Sequence, residues 1–360
     1  MGKKLRFPEF VLLTASLFSL IAFGTDAMLP AFAEIAEDLN TPNVNRVQLI
    51  VATFFLGTGL GQLVSGPLSD AIGRKPVLIG GIGIFIGASI WSVFTTSLEI
   101  LLVARFVQGL GISAPRTVGM AMVRDLYAGR QMARVVSLAM MMFVLVPAVA
   151  PLIGQGIMLA FGWRAIFLSF VVLSGSVGLW LWLRQEETLK VEDRKPFRLS
   201  ALTSALGEIV ASKRVVVSLL VLSFAYALIF SYITSAQQVF VDWLGTDEKF
   251  PLYFALIAVF SGSASALNAA LVVRLGMWLL STVGLAIICI CSLVIGSLIW
   301  AEMFQGGALL AVFIGWSMMM FFVSGLVFSN VNALAMEPVG HIAGTASAII
   351  GSVSTIASML

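Results

Sequence analysis

Charge is what this 360-residue chain has least of: Asp, Glu, Lys and Arg make up 11% of it and apolar residues 59%, against roughly one quarter charged in a soluble domain. That balance excludes a water-soluble globular or disordered chain. Cysteine is almost missing as well. Cys289 and Cys291 stand two apart in one apolar run, so on a helix they face different directions and neither pair with each other nor form a metal site. Histidine is limited to His341 at the edge of a loop, and neither paired carboxylates nor a nucleophile beside a base stand out, which leaves an enzyme without its usual parts. The phosphate-cradling pattern G-x-x-x-x-G-K-[ST] does not occur, so ATP is not the expected driver and no cofactor is implied. The net charge of +3 comes from basic residues dispersed among short loops. They form no continuous patch, so nucleic acid is not an expected partner.

Long apolar runs are what the chain has instead. A basic start with Lys3, Lys4 and Arg6 precedes the first, at about 10–32, and runs at about 48–68, 76–95, 99–121, 135–160 and 165–183 follow. Each is near the ~20 residues that cross a hydrocarbon core. A signal peptide is the rival reading of the first run, but the run is too long, Asp26 interrupts it and ten more follow. Glu186, Glu187, Lys190, Glu192, Asp193, Arg194, Lys195 and Arg198 then form a mixed-charge linker, with an amphipathic helix expected around 199–209. Five further runs lie at about 215–241, 251–272, 277–300, 307–334 and 342–360. The chain therefore reads as an all-α polytopic membrane protein of eleven spans, with a six-span bundle over 1–184, a linker over 185–214 and a five-span bundle over 215–360. The lipid bilayer is its surroundings, and a monomer is expected.

Basic residues stay preferentially on the cytoplasmic side. Of the 21 Lys and Arg, sixteen fall on the N-terminus and the loops on its side of the membrane. Arg46, Arg164 and Lys249 fall on the opposite side, and Arg105 and Arg116 lie inside span 4. This predicts a cytoplasmic N-terminus.

Three intramembrane features are candidates for chemistry. Asp26 sits in Gly-Thr-Asp-Ala-Met-Leu-Pro with apolar residues on both sides. A carboxylate there is costly while ionised, and one that can take up and release a proton is what a proton-coupled carrier needs. A carboxylate near the end of span 1 that merely reaches water is the other reading. Arg105 and Gln108 are three apart and share a helical face, with Gly109 and Gly111 leaving room for a neighbouring helix. Arginine keeps its charge and must find a carboxylate, carbonyls or water. Arg116, three turns on, serves a function or only snorkels. In span 5, Pro147 and Pro151 bend a helix, and Gly154 and Gly156 after them allow close contact with a facing helix. Methionines in spans 4, 5 and 10, Met141 among them, line either an adaptable apolar cavity or a packing face.

Gly66 to Lys75 reads Gly-Pro-Leu-Ser-Asp-Ala-Ile-Gly-Arg-Lys. From the residues alone it is a tight cytoplasmic hairpin: Gly66 lets backbones approach, Gly73 permits positive φ, and Arg74 with Lys75 hold the loop on the cytoplasmic side. A bare orientation signal accounts for the basic pair but not for Asp70. With Leu68, these residues resemble the signature G-x-L-x-D-x-x-G-R-[KR] of the major facilitator superfamily. Arg105 to Gly109 resembles its fourth-span motif R-x-x-Q-G, and Pro147 to Gly156 partly resembles the antiporter motif of its drug:proton branch, with Ala150 and Gln155 replacing glycines. Asp26-Ala-Met-Leu-Pro-Ala-Phe, Val123 to Tyr127 and Ala343 to Ala348 resemble the Bcr/CflA drug-resistance branch, with Met28 where tyrosine is usual.

The resemblance implies two six-helix bundles, with the last span absent here; a truncated chain is the expected reason, and a frameshifted gene or a genuine eleven-span protein are the alternatives. A worn echo of the 66–75 signature at Val272 to Trp278 suits such an internal repeat. It further implies a bacterial inner-membrane exporter exchanging drugs or metabolites for protons by alternating access. Asp26 and Arg105 would couple protons, and Asp26, Gln108 and Met141 would meet substrate. Gly66, Asp70, Gly73, Arg74, Lys75 and Asp125 would form a conformational latch, in which Asp70 docks at the start of span 11 and Arg74 pairs with Asp125. Pro147, Pro151, Gly154 and Gly156 would be the antiporter motif. A proton-coupled symporter importing a metabolite, and a membrane sensor or assembly factor on a transporter scaffold, are the alternatives.

Overall fold

The computed structural model describes residues 5–41, 44–196, 199–246 and 249–358, and among them the chain is helical with no strand. The first span opens with Pro8 and Glu9 in the first turn of α1 (Phe7–Asp26), positions where a missing N–H costs nothing and a carboxylate meets the helix dipole favourably. α1 stops at Asp26, a turn earlier than the apolar run suggested. Pro30 then directs a short 3-10 turn, Leu29–Ala31, into α2 (Phe32–Asp38). Next come α3 (Leu49–Ile72), α4 (Arg74–Val93), α5 (Leu98–Leu126), α6 (Gly129–Phe161) and α7 (Arg164–Arg184). The helix expected in the linker is α8 (Leu199–Ala211). The second half holds α9 (Lys213–Gln238), α10 (Phe250–Leu275), α11 (Met277–Trp300), α12 (Gly306–Met336) and α13 (Ala343–Ala357). Among the described residues eight helical segments are long and apolar enough to span a membrane, and shorter apolar stretches lie at Leu145–Phe161, Phe250–Ala264 and Thr345–Ala357.

Packing sorts these helices into two groups. In the first, α5 packs on α3 and α4, α6 on α1, and α7 on α4 and α1; in the second, α12 packs on α9, α10 and α11. The groups meet where α13 lies along α3 and α10 along α6. Small residues draw the first group together, as packing in a membrane requires. A Cβ on Gly109 of α5 would sit 2.0 Å from the Phe54 carbonyl oxygen of α3, and one on Gly57 only 2.1 Å from that of Phe106. Phe54, Phe85, Phe167 and Phe170 are fully buried within this group.

The two groups touch at the start of α3 and again at its middle. At one end the Gln48 amide donates to Gln238 at 2.8 Å, and Gln238 donates to Asn45 at 3.1 Å. Phe55 and Phe230 meet below them with ring centroids 4.0 Å apart. Further along, Gly59 and Gln62 face Ile356 and Gly351 of α13. The outer face of α11 exposes Val283, Ile287, Ile290 and Val294, a surface suited to lipid. Cys289 is also exposed, and Cys291 partly so.

Candidate functional site

The 66–75 segment is not a loop. Gly66 to Ile72 form the last turns of α3, Arg74 and Lys75 the first turn of α4, and Gly73 alone is non-helical. Its φ of +112° and ψ of 158° belong to a region essentially reserved for glycine. Gly66, expected to mark a close backbone approach, does not: a Cβ there would meet nothing nearer than a Thr117 methyl at 3.6 Å. The sharp reversal suffices because both helix ends are held by side chains.

Arg74 is the centre of that hold. Its Nε donates to Asp125 of α5 at 3.0 Å, and its Nη1 donates to Ser69 at 2.8 Å and to Asp70. The Arg74–Asp125 pair expected from the resemblance is therefore present. A residue not singled out in the sequence completes the junction. Glu187, just past α7, accepts from the Arg74 N–H at 2.9 Å and from the Lys75 N–H at 3.0 Å, capping a helix whose own N-cap is a glycine. Its signal was a carboxylate among several in a charged linker, and only the fold reveals which one reaches the exposed amides of α4. Thr188 donates to Asp125 at 2.9 Å and the Lys195 N–H to the Asp70 carbonyl at 2.9 Å, so the linker is stitched to this turn. Asp70 shares a cavity with Thr345 and Ser347 of α13. Among the described hydrogen bonds its side chain accepts from Arg74.

Gly73→Ala should lower thermal stability by about 1–3 kcal/mol, because the backbone is strained for alanine and the new methyl would lie 2.5 Å from a Glu187 carboxylate oxygen. Glu187→Gln should cost less, about 1 kcal/mol, as the loss of a charged cap. Thermal unfolding of the purified variants in detergent checks both, and equal melting of Gly73→Ala and wild type would refute the account of the turn.

Arg105 is fully buried, and its charge is answered without a carboxylate. It donates to the carbonyls of Gly24 at 3.0 Å and Ile50 at 3.3 Å, and to Gln108 at 2.7 Å, and lies 4.2 Å from the centre of the Phe54 ring. Gln108 in turn donates to Ser89 at 2.9 Å. Arg105 and Gln108 together thus join α1, α3, α4 and α5. No ion pair to Asp26 is among those described, and Gln108 lies inside this network, away from the walls of the described cavities.

Asp26 ends α1 and is 5% exposed. Beside it, α6 comes closer to α1 than any side chain would allow: a Cβ on Gly154 would fall 1.9 Å from the carbonyl oxygen of Ala27. Pro147 and Pro151 are inside α6, which continues unbroken from Gly129 to Phe161. Gly156, expected to share the close contact, faces open space; it stands two residues from Gly154 and so turns away from α1. The side chain of Met141 lies outside the described residues.

Between the two helix groups is a cavity of about 270 Å³ whose wall draws on both. α3 and α5 contribute Gln62, Asp70, Arg116 and Arg124, and Tyr226 and Thr355 face them from α9 and α13. Arg116 therefore lines the junction of the halves.

The family model described as Major Facilitator Superfamily matches residues 14–360. The chain is 31% identical over 349 residues to the bicyclomycin resistance protein homolog of Haemophilus influenzae, covering 96% of this chain and 85% of that protein. It is 29% identical over 343 residues to multidrug resistance protein D of Escherichia coli, covering 94% and 84%. A crystal structure of a D-xylose-proton symporter superposes with a TM-score of 0.74 at 16% identity, covering 97% of this chain and 88% of that one, a likeness of fold alone. The chain belongs to the Major Facilitator Superfamily, as a multi-pass transport protein of a bacterial inner membrane and not an enzyme.

Proposed function

We propose that the chain exports drug-like small molecules in exchange for protons, by rocking a bundle of residues 1–184 against one of residues 215–360 about the 185–214 linker, with its N-terminus in the cytoplasm. The observation that carries this reading is the placement of a buried carboxylate, Asp26, immediately before the Ala27 backbone on which Gly154 of the α6 proline–glycine segment packs. A protonatable group there changes charge where α1 and α6 meet, and α6 itself packs on α10 of the other half. The similarity over nearly the whole chain to proteins named for bicyclomycin and multidrug resistance supports the export direction and the substrate class. Arg74, Asp70 and Asp125 tie the α3–α4 turn to α5 beside the cavity shared with α13 and act there as a conformational latch. Susceptibility of a drug-sensitive host to bicyclomycin, with and without the gene and with and without an uncoupler, tests the reading. Protection that vanishes with the uncoupler is expected, and unchanged susceptibility on expression of the protein overturns it.

Arg105 contributes through its hub. Arg105→Ala should harm transport and also lower stability, because Gly24, Ile50 and Gln108 each lose a buried donor at about 1–3 kcal/mol apiece. Arg105→Lys should restore only part of the function, since one ammonium cannot replace a planar fork that reaches three helices. Melting temperature and vesicle transport measured on both variants check this. Wild-type behaviour of Arg105→Ala in both would remove the hub from the argument.

A further inference from the structure

We infer that the cavity between the halves binds a small anionic solute, a carboxylate or its equivalent, with Arg116 as the principal contact. Only the description of that solute as cargo rests on the proposed export function. Among the described residues the wall carries three guanidinium groups, Arg74, Arg116 and Arg124, and one carboxylate, Asp70. Arg74 holds Asp70, and Asp125 outside the cavity. Arg116 and Arg124 are the two further cations of the wall. Arg116 is ten residues from the end of α5, about 15 Å along the helix axis, within a helix long and apolar enough to span a membrane. A charge at that depth is expensive and marks a pathway or ligand site in a membrane protein. An arginine fork recognises a carboxylate with two parallel charge-assisted hydrogen bonds.

The opposite wall fits the rest of such a solute. Tyr226 presents a ring already packed against Phe328 at 4.4 Å and Phe230 at 5.7 Å, a rigid surface for a flat apolar group. Gln62 and Thr355 supply neutral polar atoms on either side. The start of α13, with Thr345 in the wall, adds a helix dipole of the sign that favours an anion. Because the contacts come from both halves, the solute bridges them. At about 270 Å³ the space is just under the roughly 300–1,000 Å³ usual for drug-sized ligands, so the state described accommodates a small molecule.

The test is titration of the full chain, purified in detergent, with benzoate and with benzamide, which share ring and size and differ in charge. Melting temperature and isothermal calorimetry are the readouts. Benzoate should bind at least about tenfold tighter than benzamide. Arg116→Gln should erase that preference without moving the melting temperature of the ligand-free protein, and Arg116→Lys should keep part of it. If Arg116→Gln does not fold, Thr117→Glu, one position along the same wall, should weaken benzoate and spare benzamide. Equal affinities, no benzoate binding, or a preference that survives Arg116→Gln would overturn the inference. Binding of phosphatidylglycerol but not benzoate would assign the charge to a lipid and likewise overturn it. Benzoate preference in a protein that gives no uncoupler-sensitive protection would refute export and leave this site standing. Protection without benzoate binding would do the reverse.

Discussion

Asp26→Asn should reduce gradient-driven export to the level of vesicles without protein, while the variant is made, inserted and purified like wild type. The asymmetry follows from chemistry and burial. Asn has the shape of Asp but cannot take up or release a proton, so a cycle that depends on protonation at this position loses its coupling step entirely. Stability should not suffer, because Asp26 is 5% exposed and an ionisable group inside a membrane protein is retained at a cost in stability. Ligand binding measured at equilibrium should survive, since the residue lies in the first helix group and outside the wall of the cavity between the halves. The decisive measurement is substrate movement in proteoliposomes under an imposed proton gradient, alongside exchange with no gradient. Loss of the first with retention of the second is expected. Equal gradient-driven export by Asp26→Asn and wild type would remove Asp26 from coupling and leave it a structural residue at a helix end.

The fold was legible because its strongest determinants are local. Apolar runs long enough to span, interrupted by basic residues, dictate helices and turns wherever they are placed. The boundaries were less so. Pro30 ended α1 at Asp26 within what looked like one run, and the signature 66–75 looked like a loop because its polar residues hid two helix ends joined through Gly73. At the candidate site, pairs fixed by helical spacing, such as Arg105 with Gln108, could be read directly. Partners far apart in sequence could not: Glu187 reaches the start of α4 across 113 residues, and nothing in its neighbours distinguishes it from Glu186. Glycines show the same division. Gly154 and Gly156 looked equivalent in the sequence, yet only Gly154 faces another backbone, because the facing helix and its height along α6 are set by the whole bundle.

That difference makes Gly154→Ala the sharpest test of the α1–α6 contact. The added methyl would fall 1.9 Å from the Ala27 carbonyl oxygen and 3.0 Å from the Ala27 Cα, and these are backbone atoms that cannot step aside as a side chain would. Either α6 backs away from α1 or the Asp26–Ala27 end of α1 is displaced. Overpacking of this kind costs about 1–3 kcal/mol, which should appear as a lower melting temperature. Gly156→Ala, two residues on and facing open space, should melt like wild type or slightly higher, since alanine restricts the unfolded chain and favours the helix. Transport separates the two further. Gly154→Ala shifts the surroundings of the buried carboxylate and should lose most of its gradient-driven export, whereas Gly156→Ala should keep it. Proteoliposome export of the two variants at matched protein density is the measurement. Should Gly154→Ala transport and melt like wild type, the close approach of α6 to α1 does not govern the environment of Asp26, and the placement on which antiport was proposed loses its support.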